Sequence, residues 1–139
     1  MLRVISLFLL LTATFFTACH SPQVTTSRAG QLITVSDSML IMGGADTLHF
    51  GHLSAGEVAT KTLRLRNASS QHLVILSHKT GCGCVSLDYD RQPIAPTTER
   101  SLSVLFDSNG EEGWQWKVVE IKLSGAAKPL KIYIEAEVE

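Results

Sequence analysis

A strict alternation of apolar and polar side chains runs from Leu130 to Val138. Leucine, isoleucine, alanine and valine occupy every second position, and lysine, tyrosine and glutamate lie between them. A period of two indicates a strand with one buried face, because successive side chains of a strand point to opposite faces. This segment therefore predicts a β-sheet that covers an apolar core.

Shorter segments of the same kind precede it. Residues 101–107 and 116–123 largely alternate, and residues 58–67 alternate in their second half. Residues 73–76 form a continuous apolar run, which predicts a fully buried strand. A polar segment with two glycines, residues 107–113, predicts a hairpin loop. No segment predicts a helix, so we expect an all-β fold, an immunoglobulin-like β-sandwich of about seven to eight strands.

Two tryptophans open one of the predicted strands. Trp114 and Trp116 are separated by one residue and would share a face of that strand. If both were exposed, their rings could stack on a sugar, and if both were buried they would simply pack. The prediction that we favour is packing.

The segment Gly81-Cys82-Gly83-Cys84 contains two of the three cysteines. In an extended chain Cys82 and Cys84 would share a face, with Cα atoms roughly 6.5 Å apart, which is the upper end of the disulfide range. Glycine at position 83 would let them approach more closely. Three interpretations remain open: a disulfide or redox pair, two thiolates for a soft metal, and two small buried residues.

His78 could extend the metal interpretation. It precedes Cys82 by four residues, and an imidazole beside two thiolates is a ligand set that soft metals accept. A surface histidine at the end of a strand is the simpler interpretation of the same residue. His78 is therefore a candidate additional metal ligand, and we expect no bound cofactor.

The first part of the chain resembles a bacterial lipoprotein signal. Arg3 precedes an apolar stretch that is too short to span a bilayer, and small residues stand directly before Cys19. We predict a signal peptide at residues 1–18, a lipid-modified Cys19 that opens a flexible tether at 19–36, and the sandwich domain at 37–139. Residues 31–36 could add a first strand to that domain.

The order of several short motifs resembles a known family, domain of unknown function fifteen-seventy-three. The landmarks, between about residues 40 and 139, are His49-Phe50-Gly51, Gly56-Glu57, Leu65-Arg66-Asn67, Leu73-Val74-Ile75, Gly81-Cys82-Gly83-Cys84, Pro93-Ile94-Ala95-Pro96, and Val104-Leu105-Phe106-Asp107 with Gly113. The resemblance implies an exported or lipid-anchored protein of Bacteroidetes-type bacteria with an immunoglobulin-like fold, and no assigned reaction. One departure is Pro96-Thr97-Thr98-Glu99, where the family usually has Pro-Gly-Glu, and it concerns the local turn.

Composition and motifs narrow the function. The formal net charge is -1 and no basic face stands out, so nucleic acid is not an expected partner. The chain lacks a nucleophile elbow, a zinc-protease helix motif and a phosphate-binding glycine loop, so we expect no catalytic residues. We predict a binding or structural module of the bacterial cell envelope, lipid-anchored to the outer membrane and facing the periplasm. Its partner would be another envelope protein or polymer, and the alternative is a thiol-redox or soft-metal protein that uses Cys82 and Cys84.

The lipid anchor makes a direct prediction. Changing Cys19 to Ser removes the sulfur that would carry the lipid, and stable anchoring needs more than one acyl chain. We expect Cys19→Ser to release the protein from membranes, measured by fractionation after a carbonate wash. Persistent sedimentation of the variant with washed membranes would contradict the lipoprotein interpretation.

Overall fold

A computed structural model describes residues 30–139. These residues form two four-stranded sheets and one short helix. The predicted fold class, an all-β sandwich, is confirmed. Cys19, the predicted signal peptide and most of the predicted tether lie outside the described residues. Within the described part of the chain, no helix is long and apolar enough to cross a membrane.

The elements follow one another in a simple order. In chain order they are β1 (Gln31–Val35), α1 (Asp37–Met42), β2 (Gly44–Leu53), β3 (Val58–Asn67), β4 (Ile75–Thr80), β5 (Val85–Tyr89), β6 (Glu99–Asp107), β7 (Gly113–Leu123) and β8 (Leu130–Val138). The first sheet has the strand order β1-β3-β6-β5, and the second has the order β2-β8-β7-β4. Strand β1 pairs with β3 and strand β2 pairs with β8 in parallel, whereas the other pairs are antiparallel.

The core lies between the two sheets. The alternation predicted for β8 is confirmed, because its five apolar positions are buried and its polar positions are less so. Strand β6 behaves in the same way, with Leu102, Val104 and Phe106 buried. The ring of Phe106 meets the ring of Phe50 edge to face, with centroids 5.9 Å apart, and this contact joins the sheets.

The helix α1 corrects the prediction that no helix is present. Ser36 begins it, since its side-chain oxygen accepts a hydrogen bond from the backbone N–H of Met39 at 3.3 Å. Asp37 lies in the first turn, where a negative charge is favourable. Gly43 ends the helix with a φ of 86°, a conformation that glycine adopts without strain. One turn and a half is too short for the apolar period of a helix to be visible in the sequence.

The sandwich begins at Gln31, not at the predicted boundary of residue 37. Residues Gln31–Val35 form strand β1 and pair with β3 along their whole length. Ile33 and Val35 are buried, so this strand contributes to the core. The part of the predicted tether that lies between Cys19 and the sandwich is therefore residues 20–30.

Two further segments differ from their predictions. The apolar run of residues 73–76 is not one buried strand, because β4 starts at Ile75 and Leu76 is 49% exposed beside a bulge. The loop at residues 107–113 is not a hairpin, because β6 and β7 belong to different sheets. Both segments lie where the chain enters a sheet, and local alternation does not reveal which sheet a strand joins.

A buried asparagine closes one end of the sandwich. Asn67 is 0% exposed, and its side-chain amide donates to the backbone carbonyls of Gln71 at 2.7 Å and Ile94 at 2.8 Å. Its side-chain oxygen accepts hydrogen bonds from the backbone N–H and the hydroxyl of Ser69. Every polar atom of the side chain is thus bonded, which offsets the cost of burying it. The loops before β4 and before β6 are tied together through this residue.

Thr97 explains how the chain departs from its family at this end. Its φ is 66°, and it is the one non-glycine residue with a positive φ among the described residues. A branched residue in this conformation is strained, because its Cβ crowds the following carbonyl oxygen. The backbone N–H of Thr97 donates to the carbonyl oxygen of Asn67 at 2.8 Å, so the buried asparagine holds the turn.

This strain predicts a stabilising substitution. Thr97→Gly removes a left-handed penalty of about 1–2 kcal/mol. The extra freedom of glycine in the unfolded chain costs about 0.5–1 kcal/mol. We therefore expect the free energy of unfolding, from urea melts, to rise by up to about 1 kcal/mol.

The neighbouring threonine supplies the control. Thr98 has no positive φ, and its hydroxyl donates to the carbonyl oxygen of Ala95 at 2.7 Å. Thr98→Gly should therefore lower the free energy of unfolding. Equal destabilisation by both glycine variants would contradict strain at Thr97.

Candidate functional site

The Cys-Gly-Cys turn lies where the chain passes from the second sheet to the first. It connects β4 to β5, and the backbone N–H of Gly81 donates to the carbonyl oxygen of Val118. The sulfur atoms of Cys82 and Cys84 are bonded to each other, with Cα atoms 5.3 Å apart. The turn is bent rather than extended, which brings the Cα atoms closer than a strand would. Both cysteines are half-buried against the core, and whether they are oxidised in the exported protein stays a prediction.

The metal interpretation of this turn meets a chemical obstacle. Soft metals bind cysteine as a thiolate, and two sulfurs bonded to each other are not thiolates. A metal site here would first require reduction of the disulfide. The imidazole of the third candidate, His78, is exposed and contacts Tyr89, with its Nδ1 atom 3.4 Å from the phenol oxygen and the two rings edge to face.

The outer face of the second sheet carries the feature that departs most from expectation. Trp114 and Trp116 are 62% and 52% exposed, so the prediction that they pack in the core is wrong. Trp116 stacks on Tyr133, with ring centroids 5.2 Å apart and an interplanar angle of 21°. Both tryptophans lie on β7, and Tyr133 lies on the neighbouring strand β8.

The two tryptophans begin two similar rows of side chains. Trp116 pairs with Glu135 on β8, which pairs in turn with His49 on β2. Trp114 pairs with Glu137, and Glu137 pairs with His52. Directly paired residues of adjacent strands have neighbouring side chains on one face. We call these two sets, His49–Glu135–Trp116 and His52–Glu137–Trp114, the His–Glu–Trp rows.

A β-bulge brings the second histidine onto this face. His49 and His52 are three residues apart, so a regular strand would place them on opposite faces. Strand β2 shifts register between His49 and Gly51, and Phe50 is the extra residue. Gly51 has a φ of 81°, which glycine adopts readily and which allows the bulge. Phe50 therefore points into the core while both histidines remain outside.

The rows pair charges on the surface. When protonated, the imidazole of His49 forms an ion pair with Glu135, with Nδ1 and Oε2 3.1 Å apart. His52 lies 3.5 Å from Glu137 and 3.3 Å from Glu139, again measured from Nδ1 to a carboxylate oxygen. Exposed pairs of this kind contribute little to stability, typically about 0–1 kcal/mol. Their effect is to hold the polar groups in place beside the tryptophans.

One row also contains the metal-compatible cluster of the described residues. The ligand atoms of His52, Glu137 and Glu139 lie within 4.8 Å of one another, and all three residues are at least partly exposed. None of these residues was a sequence-based candidate. The sequence candidates Cys82, Cys84 and His78 lie at the crossing between the sheets and the β4 edge, away from the central strand β8 that carries the rows.

The face combines aromatic rings with hydrogen-bonding groups. Exposed tryptophans offer flat apolar surface, whereas carboxylates accept and imidazoles donate or accept hydrogen bonds. Such a surface can bind a ligand that has both an apolar face and polar groups. Sequence reasoning missed it, although the signal was present: the alternation that places Val119 inside also places Trp116 outside.

The comparisons with known proteins agree on the fold. A protein of unknown function from Porphyromonas gingivalis W83 matches with a TM-score of 0.58 and 22% identity over 66% of this chain and 43% of that one. The VesB protease of Vibrio cholerae matches with a TM-score of 0.54 and 14% identity, over 66% of this chain and 30% of the protease. The secreted serine protease VesC of the same species has a TM-score of 0.52 and 10% identity, over 65% and 21%.

These matches establish similarity of fold alone, because identity is low and this chain spans less than half the length of each of those chains. No curated protein matches the sequence. The family described as "Protein of unknown function (DUF1573)" matches residues 42–138, which confirms the resemblance predicted from the motifs. Since that match covers most of the chain, the protein belongs to the DUF1573 family.

Proposed function

We propose that the protein is a non-catalytic binding module of the bacterial cell envelope, anchored by lipid at Cys19. Its binding surface is the outer face of the second sheet, where the His–Glu–Trp rows lie. In this proposal the sandwich is a rigid support, and the partner is another component of the envelope.

The exposed tryptophan pair carries the proposal. Tryptophan is highly buried on average, and an exposed apolar cluster rimmed by polar groups marks an interaction site more often than chance. The only two tryptophans of the chain, Trp114 and Trp116, are both exposed on one face. Covering them would remove a large apolar area from water, at about 25 cal/mol per Å².

The lipid anchor is supported by the sequence and by the start of the fold. A short apolar stretch ends in Ala18-Cys19, and β1 begins at Gln31. The residues between, 20–30, would hold the sandwich at an average distance of roughly 18 Å from the lipid. Such a tether leaves the sandwich free to turn its second sheet toward a partner.

A second candidate function, thiol-redox activity, is favoured by the disulfide at the turn. The ring closed by Cys82 and Cys84 spans a sequence separation of two. The bond is only half-buried, so a small reductant could reach it. Under this alternative the turn would exchange electrons with an external thiol, and the soft-metal form would use the reduced pair.

The tryptophans can be tested by cosedimentation with insoluble envelope material. The probe protein is the chain from residue 19 with Cys19→Ser, so that lipid does not contribute to binding. We expect Trp114→Ala with Trp116→Ala to lower the bound fraction at least about tenfold, because aromatic anchors dominate interfaces. The variant should retain the urea midpoint of the wild type, since both side chains are exposed.

Leu76→Ala is the matched control. Leu76 is also an exposed apolar residue of the second sheet, but it belongs to neither row. It should bind like the wild type. Unchanged binding by the tryptophan variant would remove the proposed surface.

The disulfide can be tested by intact-mass spectrometry. Protein taken from the envelope and alkylated without reduction should carry no alkyl group on Cys82 or Cys84, because exported paired thiols tend to close. Mild reductant should add two alkyl groups while the sandwich stays folded, since so short a loop removes little entropy from the unfolded chain. Two alkyl groups before reduction would contradict the disulfide in the envelope.

A further inference from the structure

We propose that the two His–Glu–Trp rows bind a neutral glycan chain of β-linked sugars. This inference names the ligand of the surface described above, and so it rests on the proposed function. Three observations carry it: the repetition of the rows, the pairing of their charges, and the exposure of their aromatic rings.

The repetition points to a ligand that also repeats. The rows present the same three side-chain types in the same order across β2, β8 and β7. They are two residues apart on β8, which corresponds to roughly 6.8 Å along the strand. A ligand that contacts one row can contact the next only if it offers similar groups a short distance further on. A polymer of similar units meets this requirement.

The charges indicate a neutral ligand. Glu135 faces His49 and Glu137 faces His52, so each carboxylate has a potential positive partner within its own row. A surface with paired charges attracts neither a polyanion nor a polycation strongly. A carboxylate has about four lone-pair positions. The ion pair to one histidine therefore leaves acceptors for hydroxyl groups.

The aromatic rings match the other face of a sugar. Sugars with equatorial substituents present C–H groups on the faces of the ring and hydroxyl groups around its edge. Trp114 and Trp116 can pack against the C–H groups, while the glutamates and histidines bond the hydroxyls. Stacking on Tyr133 restricts the side chain of Trp116, so less conformational entropy is lost when a ligand binds.

A protein partner fits the same surface less well. The central part of a protein interface is depleted of charged residues. Here Glu135 and Glu137, on the middle strand of the rows, are charged. We therefore argue for the glycan, and a basic peptide is an outcome that the test distinguishes.

The two tryptophans allow a label-free test. Because Trp114 and Trp116 are the only tryptophans in the chain, its tryptophan fluorescence reports on this face alone. The same chain from residue 19, with Cys19→Ser, is titrated with chitohexaose and with cellohexaose. We expect a saturable blue shift as the rings leave water. Each hexasaccharide should bind at least about tenfold more tightly than its monosaccharide, because it can engage both rows at once.

Single variants locate the binding. Trp114→Ala and Trp116→Ala each leave one tryptophan to report, and each should weaken hexasaccharide binding at least about tenfold. Leu76→Ala should bind like the wild type. If either tryptophan variant binds as tightly as the wild type, the two-row site is wrong.

A charge variant separates a glycan from a basic peptide. Glu135→Gln keeps a hydrogen-bonding oxygen and loses the charge, so glycan affinity should change by less than about threefold and depend little on salt. A tenfold loss together with strong salt dependence would indicate a cationic ligand and overturn the neutral glycan.

Failure of this inference is distinct from failure of the proposed function. If neither hexasaccharide changes the fluorescence at millimolar concentration, the glycan proposal is overturned. If cosedimentation with the envelope still depends on the tryptophans, the binding module survives with another ligand. Loss of both results would remove the proposed function as well.

Discussion

The parallel pairing of β2 with β8 is the contact on which both faces of the second sheet depend. β8 is the most regular strand of the fold, and its buried side chains form one wall of the core. The bulge at Phe50 and Gly51 lets β2 follow it while directing Phe50 inward and both histidines outward. One extra residue therefore supplies an aromatic contact to Phe106 in the core and completes the second His–Glu–Trp row outside. Core and outer face are coupled through backbone geometry rather than through contacts between their side chains.

How much of the fold the sequence predicted depended on the length of each pattern. Long alternating segments such as residues 130–138 were predicted correctly, because each residue adds to the same signal. Short elements were not: α1 is six residues long, and no apolar period can be recognised over so short a helix. The partner of a strand was also hidden. Whether residues 107–113 form a hairpin or a crossing depends on contacts with distant strands, which local alternation does not contain.

The candidate site shows a different kind of error. Period-two counting from Val119 places Gln115 inside and Trp116 outside, and the structure has both as counted. The prediction of packing followed instead from the general preference of tryptophan for the interior. Where a pattern and a residue preference disagree, the local pattern reflects backbone geometry and is the stronger constraint. The bulge could not be foreseen in the same way, because Gly51 alone does not distinguish a bulge from the end of a strand.

The two unusual features of the chain act at different levels. The disulfide lies in the short crossing from β4 to β5, where the sandwich already constrains both ends of the turn. Asn67 closes its end of the sandwich with hydrogen bonds that span four segments of chain and does so without a covalent bond. Because the fold is held by its core and by such bonds, the disulfide is not needed to shape the outer face. A change in its redox state should therefore leave the His–Glu–Trp rows in place, and the binding surface and the turn can be assessed independently.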